Sequence, residues 1–363
     1  MSTIKVTNIE HASTGNGGIQ LDNAGHVTVD GQQMPTTGQL SNRNLIINGA
    51  MNVAQRGTSS TSSGCQSIDR YFMSWGGGGV TQSQQDLTSG DPYNEGFRKF
   101  ARIQNTTAAT AAANYREILY KFEAQDIAQS GWQYKSSSSY VTVSFWVRAS
   151  VAQTYYVFMM SQDGPDQIYS FPISLTANTW TKITETISGD SNINITNDNG
   201  VGMMLSVVAH YGTAYTDSGN TDRTWRSRSA GNAYVLPMTS TWANTTNATL
   251  DLTGLQVEVG EKATPFEHRS YGDERMRCMR YYESYWQDAG GTSTSYSTRV
   301  GTTGGFFVVA GFKVPKRAVP TCNSLASDSA MTYFTDHITQ ENWYGYYNAT
   351  HSRSYSWEAD AEL

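Results

Sequence analysis

The stretch YVTVSFWVRAS, Tyr140 to Ser150, decides the fold. Val141, Val143, Phe145 and Val147 alternate with Thr142, Ser144, Trp146 and Arg148. Side chains repeating with period two stand on opposite faces of a strand, so one face is apolar and the other is mixed. The same texture returns in TYYVFMM (Thr154 to Met160), TWTKITETI (Thr179 to Ile187), GMMLSVVAHY (Gly202 to Tyr211) and TLDLTGLQVEV (Thr249 to Val259), with polar, turn-rich stretches between them. YREILYKFEAQDIAQSG reads as a strand, from the alternation of Tyr115, Glu117 and Leu119, running into a turn near Ile127. Strands of this length, evenly spread from Asn44 to about Gly272, predict an all-β chain built on a two-sheet jelly-roll β-sandwich.

Composition agrees. Of 363 residues only 15% are charged, against about 25% in an ordinary soluble domain. The 33 glycines, and 22 tyrosines against 12 phenylalanines, suit short strands and polar turns. A formal net charge of -6 with scattered Lys and Arg gives no basic footprint, so no nucleic-acid partner is expected. No run approaches the ~20 apolar residues that span a bilayer, and MSTIKVTNIEHAS lacks the apolar core of a signal peptide, so a soluble chain without membrane insertion is expected. Cys65, Cys278 and Cys322 are odd in number and lack CxxC spacing, which reads as buried thiols rather than disulfides or a zinc site. His11, His26, His210, His268, His337 and His351 show no HxxxH spacing, so no metal catalysis is indicated.

Two flanks differ from the sandwich. In residues 1–43, Ile19 and Leu21, then Val27 and Val29, sit on one side of two thin strands. So little apolar surface is expected to hold a structure only by pairing with copies of itself or docking on another protein. Residues 273–363 begin with a short helix, for which Asp273 is the expected N-cap and Met276, Met279, Tyr282 and Trp286 the apolar stripe. After Gly290 and Gly291 the chain returns to aromatic-rich strand texture, which reads as a small self-associating β module. The domains expected are thus 1–43, 44–272 and 273–363.

The charged stretch VEVGEKATPFEHRSYGDERMRCMRYYESYW, Val257 to Trp286, is the one place that looks like a reaction centre. Glu267 and His268 are neighbours and point to opposite faces of an extended chain. Cys278 has Arg275, Arg277 and Arg280 nearby, but no base is placed beside it. Catalysis is not expected. Gly76 to Gly79 lacks the following Lys and Ser/Thr of a phosphate loop and reads as a turn.

NRNLIINGAMNVAQRGTS (Asn42 to Ser59), IDRYFM (Ile68 to Met73), VTVSFWVRASVAQTYYV (Val141 to Val157), LTANTWTKITETISGD (Leu175 to Asp190), NDNGVGMMLSV (Asn197 to Val207) and LTGLQVEVGEKATPFEHRSYGDERMRCMRYYESYW (Leu252 to Trp286) occur in this order. FKVPKRAVPT (Phe312 to Thr321) and the terminal DAEL follow. Together they resemble a domain widespread in bacteriophage tail-fibre proteins: a jelly roll similar to carbohydrate-binding modules, a short helix and a C-terminal β module. MSTIKVTNIE resembles the start of virion proteins of marine, especially cyanobacterial, phages.

The resemblance implies a homotrimeric virion fibre, assembled in the host cytoplasm, that is fixed to other virion proteins through its N-terminus and binds a host cell-surface glycan. The attachment candidates are Ile4, Val6, Ile19, Leu21, Val27 and Val29. Only about 43 residues precede the jelly roll, where family members often carry an anchoring domain or shaft, so a short tail- or capsid-attached fibre stands beside a tail fibre. The glycan-binding candidates are Tyr211, Tyr215, Trp225, Arg226 and Arg228 in the segment His210 to Ser229, and Trp343, Tyr344 and Tyr346 near the end. For the terminal cluster, packing at a subunit seam is the stronger reading. No cofactor is expected; jelly rolls of this kind sometimes hold a structural Ca²⁺ in Asp-rich turns, with no residues assigned here.

Two alternatives remain open at this level. One is a purely structural capsid or tail decoration or adaptor protein. The other is a glycan-degrading tailspike, which needs two carboxylates roughly 5 to 10 Å apart. Asp163 with Asp166, or Asp217 with Asp222, are the pairs to consider, though such acids are more often solvated turn caps.

Overall fold

The computed structural model describes residues 8–9, 18–21, 27–29, 32–33, 42–228, 233–285, 306–324, 331–333, 338–347 and 357–363. The chain is all-β: a jelly-roll sandwich with a thin N-terminal β segment and a small C-terminal β module beyond a short helix. The N-terminal strands are β1 (Asn8–Ile9), β2 (Ile19–Leu21), β3 (Val27–Val29) and β4 (Gln32–Gln33), paired in that order. The sandwich holds β5 (Ser59–Ser60), β6 (Tyr71–Gly76), β7 (Val80–Asp86), β8 (Lys99–Asn105), β9 (Tyr115–Glu123), β10 (Tyr140–Ala149), β11 (Gln153–Ser161), β12 (Gln167–Leu175), β13 (Thr181–Ser188), β14 (Val201–Tyr211), β15 (Arg226–Ser227) and β16 (Thr249–Val259). Short helices α1 (Asp91–Asn94), α2 (Ala124–Ala128) and α3 (Thr241–Asn244) lie in its connections. The anticipated turn near Ile127 is α2.

Two six-stranded sheets result, one in the order β13-β10-β16-β8-β7-β5 and the other β15-β12-β11-β14-β9-β6. They bury their apolar rows against each other. Val143, Phe145, Val147, Leu250, Leu252 and Ile103 of the first sheet meet Ile118, Tyr155, Val157, Met159, Phe171 and Leu205 of the second, each nearly or fully buried. Within TLDLTGLQVEV the alternation breaks at Gly254. Leu250 and Leu252 face inward before it, and Leu255 and Val257 after it. A bulge opposite Ser144 and Trp146 makes the switch, with Gly254 at φ +66. A Cβ there would lie 2.7 Å from the Phe97 ring, so glycine is required both by conformation and by space.

The outward residues of β10 are mostly buried too: Thr142, Ser144 and Trp146 are covered, whereas Arg148 is partly exposed. The 87–98 connection covers one end of this face. Phe97, Leu87 and Phe100 pack on Trp146, and Glu95 accepts from the Trp146 Nε1 at 3.0 Å.

Helix α4 (Tyr271–Met279) opens earlier than the sequence suggested. Its N-cap is Ser270, whose hydroxyl accepts from the Asp273 amide at 3.2 Å; Asp273 sits in the first turn and pairs with Arg277. The helix also ends before the expected stripe is complete. Glu274, Cys278 and Met279 are buried, Met276 is 57% exposed, and Tyr282 belongs to the next strand. The buried face is set by Glu274, which accepts from the Asn48 amide, and not by a methionine row. Trp286 lies outside the described residues, as do Ile4 and Val6.

The C-terminal module contains β17 (Tyr282–Tyr285), β18 (Phe306–Gly311), β19 (Thr321–Ser324), β20 (Met331–Tyr333), β21 (Asn342–Tyr347) and β22 (Trp357–Asp360), in two three-stranded sheets. Charge fastens it to the sandwich. Arg56 pairs with Asp360 and Glu362, Arg70 with Glu362, and Arg280 with Glu123, while the Lys121 Nζ donates to the Leu363 carbonyl at 2.7 Å. The guanidiniums of Arg56 and Arg70 also lie 3.5 and 3.4 Å from the ring centres of Tyr282 and Tyr281.

In the N-terminal sheet, Ile9 stands opposite Ile19 and Ile19 opposite Val29, with Leu21 opposite Val27 in the next row. Ile9, Ile19, Leu21 and Val29 are exposed, and Val27 is half-buried.

Candidate functional site

The second sheet has a well-furnished outer face. Reading across β9, β14 and β11, Glu117 stands opposite Val208 and Val208 opposite Tyr156. One row along, Leu119, Ser206, Phe158 and Ser170 follow one another across β9, β14, β11 and β12. The chain leaving β14 then crosses back over this face. The Tyr234 amide donates to Tyr215 O and the Asp217 amide to Val235 O, so the outgoing and returning segments pair, and the Arg223 amide reaches Ser170 O.

This brings four tyrosines and Phe158 together from distant positions. Tyr211 lies 5.4 Å from Tyr215 and 5.5 Å from Tyr234, Tyr215 lies 5.3 Å from Tyr115, and Phe158 lies 5.3 Å from Tyr234, all tilted or edge-on. Such geometries suit the ring quadrupole and fix each ring by its neighbours. Tyr156 and Phe158 are buried beneath, whereas Tyr115, Tyr215 and Tyr234 remain half-buried. In the floor, Glu117 accepts from the Tyr211 hydroxyl and the Ser206 hydroxyl, each at 2.6 Å. Burial pushes the Glu117 carboxyl up and, with Glu117 beside it, pushes the Tyr211 phenol up as well.

The arginines of the crossing segment brace it. Arg228 grips Asp166 through Nε and Nη2, and its Nη1 donates to the Tyr234 hydroxyl at 3.0 Å. Arg226 donates to Tyr234 O at 2.6 Å, while its Nε and Nη1 are buried with no partner. Arg223 pairs with Glu185 at 3.0 Å. Trp225 turns the other way: its Nε1 donates to Ser188 O at 2.7 Å, and its ring lies 5.7 Å from Tyr169, against the sandwich core.

Of the sequence candidates, the structure gathers Tyr211, Tyr215, Arg226 and Arg228 around one face and places Trp225 at its edge. The loop begins later than anticipated: β14 runs through His210 and Tyr211, both of them buried. His210 has neither ring nitrogen partnered, and burial, with Arg116 beside it, pushes it down to about 4. In the terminal module, Trp343 is fully buried 5.6 Å from Trp357, while Tyr344 and Tyr346 sit in β21 opposite Val309 and Phe307. Tyr115 and Glu117 were read only as the alternation of a strand, and none of Tyr115, Glu117 and Tyr234 was a binding candidate in the sequence. The acid at 117 inside the apolar run EILYKF was the visible signal, since an acid there must find partners.

The charged stretch around His268 is architectural. Glu267 accepts from the Asn44 amide and pairs with Arg269, whereas the His268 Nε2 contacts Glu95 O at 2.9 Å and its ring packs on Phe97 and Phe266. Burial pushes the Cys278 thiol well up, away from a thiolate nucleophile. The acid pairs weighed for hydrolysis each have a structural partner. Asp163 accepts from Thr196, Asp166 from Arg228, Asp217 from the Gly219 amide and Asp222 from Ser170. Among the described residues no group of three or more His, Cys, Asp or Glu is arranged to hold a metal. No helix among them is long and apolar enough to cross a membrane.

No family model matches the chain, and no curated protein matches it. Solved structures do. The CBM22-1 xylan-binding domain from Paenibacillus barcinonensis Xyn10C matches with 11% identity and a TM-score of 0.30, over 63% of this chain and 100% of its own. A family 11 carbohydrate-binding module of a Clostridium thermocellum cellulosomal cellulase matches with 10% identity and a TM-score of 0.28, over 58% and 98%. A cyclase from Fischerella sp. matches with 6% identity and a TM-score of 0.32, over 63% and 100%. So distant a likeness bears on neither ligand nor reaction.

Proposed function

We propose that this chain is a non-enzymatic glycan-binding protein, a subunit of a phage virion fibre that attaches to a host-surface saccharide through the tyrosine-lined face of the second sheet. One observation carries the glycan reading. Tyr115, Tyr215 and Tyr234 are partly exposed, held by mutual ring contacts, and set over a buried carboxylate and braced by Arg228. Rigid rings offer flat apolar contact to the C–H face of a sugar at little cost in conformational entropy, and phenol hydroxyls at their edges meet sugar hydroxyls. Weak single contacts multiply across identical subunits. The virion reading rests on the ordered motifs from Asn42 to Leu363, with the exposed apolar strands of the N-terminal segment as the region that meets other virion proteins and a homotrimer as the assembled form.

The test is a glycan array probed with the native protein, followed by titration of the best ligand against Tyr215→Ala and Tyr234→Ala. Each substitution should weaken binding about tenfold, on the order of 1.4 kcal/mol, with unfolding temperature within a few degrees of the parent. Unchanged affinity in both variants would place the ligand elsewhere. Release of reducing sugar from the bound polysaccharide would instead establish the hydrolytic alternative. For the virion assignment, deleting residues 1–38 should leave the sandwich folded and abolish incorporation into particles; normal incorporation would refute it.

A further inference from the structure

The opposite sheet carries a second constellation that nothing above uses. Arg102 on β8, Asp251 on β16 and Arg148 on β10 are direct cross-strand neighbours in one row of the outer face. Asp251 is buried. It accepts from the Arg102 Nε and Nη2 at 2.7 and 2.9 Å and from the Arg148 Nε and Nη2 at 3.0 and 2.7 Å.

Both guanidiniums therefore spend the same edge on one carboxylate. Their Nη1 groups have no partner among the described residues and are not among the buried atoms, and each arginine side chain is 27% exposed. The planes are held in place from behind. Arg148 lies 4.7 Å from the Trp180 ring centre and 5.4 Å from that of Phe100, and Arg102 lies 5.3 Å from that of Phe100. Trp180 itself is half-buried, with its Nε1 buried and its ring edge-on to Phe100 at 5.6 Å, so the indole is held firmly beside the pair.

One carboxylate against two guanidiniums leaves a cationic excess at the row itself. Beyond it, Lys99 pairs with Asp86 and Lys182 with Glu95, so the flanking charges cancel. A guanidinium whose Nε edge is already anchored offers its Nη edge to a second oxyanion, and two such forks side by side prefer a carboxylate or sulfate over a neutral hydroxyl. An aromatic surface next to a charged fork adds contact for the ring that carries the anion.

We infer that Arg102, Arg148 and Trp180 form a second binding site, on the sheet opposite the tyrosine-lined face, for the carboxylate or sulfate group of an acidic saccharide. The site stands independently of the tyrosine face, because the two lie on opposite sheets and share no residue.

The experiment titrates the full chain with a galacturonate tetramer, a heparin-derived hexasaccharide and cellotetraose, at low and at physiological salt. One or both acidic probes should bind, more weakly at the higher salt, and cellotetraose should not compete with them. Binding of the galacturonate tetramer shows that a carboxylate suffices, whereas binding of the heparin hexasaccharide alone, which carries both groups, shows that sulfate is required. Arg148→Gln should lower acidic-probe affinity at least tenfold, with Arg102 still holding Asp251. Arg148→Lys keeps the charge and an ion pair with Asp251 but loses the fork, and should lower affinity at least threefold even where the Gln variant folds poorly. Tyr234→Ala should leave acidic binding unchanged. The inference is overturned if neither acidic probe binds, if cellotetraose displaces them, or if Arg148→Lys binds as the parent does.

Discussion

Trp225 decides whether the crossing segment is a recognition loop or a structural clamp, and its surroundings favour the clamp. Trp225→Ala removes three things. The hydrogen bond from Nε1 to Ser188 O at 2.7 Å is worth about 1 kcal/mol. The ring contact with Tyr169 at 5.7 Å adds about 0.5 to 1.5 kcal/mol. The half-buried indole against the core contributes about half of the 3 to 5 kcal/mol typical of a buried Trp→Ala change. With allowance for overlap among these, a loss of about 3 kcal/mol is expected, which lowers the unfolding temperature by roughly 6 to 12 °C for a domain of this size. Trp225→Phe keeps the ring packing and should lose only about 1 kcal/mol. The assay is urea unfolding followed by tryptophan fluorescence and circular dichroism, with glycan binding measured on the same samples. Unchanged stability of the alanine variant together with lost glycan binding would refute the clamp and make Trp225 a ligand contact.

Lys316→Met should destabilise the C-terminal module by about 3 to 5 kcal/mol. The buried ammonium donates to Met279 O, Val314 O and the buried Glu283, which is left without its cation. Adding Glu283→Leu should recover much of that loss, and hydrogen exchange in β17 and β22 reads both. Gly254→Ala combines a positive φ with a Cβ 2.7 Å from Phe97 and should cost at least about 2 kcal/mol by urea unfolding. His210 falls to about 4 in the fold from an ordinary 6.5, so its contribution is complete above 6.5 and is lost as pH falls through about 4. Asp69, raised to about 6 from 3.8 by burial, works in the opposite sense: its contribution is full below 3.8 and is lost as pH rises through about 6. His210→Leu isolates the histidine. It should be as stable as the parent at pH 7, because neither nitrogen has a partner to lose, and should unfold less steeply between pH 6.5 and 4; a parallel pH profile would contradict this.

The sandwich was legible because its strands are amphipathic on a local scale. Val141 to Val147 state which face is buried before any partner is known. What covers the other face is not local: Trp146 is buried by Phe97 and Leu87, which arrive from the connection between β7 and β8. The helix start was misplaced for a related reason. Ser270 and Asp273 are both good caps in sequence, and only the path of the chain out of residues 261–269 makes Ser270 the residue with extended backbone. The tyrosine face was half legible. A glycine- and serine-rich segment with aromatics announces a long connection, but Tyr115 and Glu117 lie in a strand that precedes it by many turns of the fold. The Arg102–Asp251–Arg148 row was not legible at all, because it exists only through the pairing register of three strands.

In a chain with only 15% charged residues, several of those charges are withdrawn from solvent. Asp251, Glu123, Glu283 and Glu117 are all buried, and the first three are each met by arginine or lysine from a distant part of the chain. Breaking such a pair is costly, whereas an apolar replacement of both members often is not, so the pairs fix geometry more than they add stability. Glu117 differs. Its partners are two hydroxyls, Tyr211 and Ser206, with no cation in hydrogen-bond contact, and burial pushes its carboxyl up. A carboxylate held by neutral donors beneath half-exposed tyrosines is less securely compensated than the other three. That asymmetry sets the second sheet's outer face apart from the three paired acids, and on the reading proposed above this is where a polar, hydroxyl-rich ligand has most to offer.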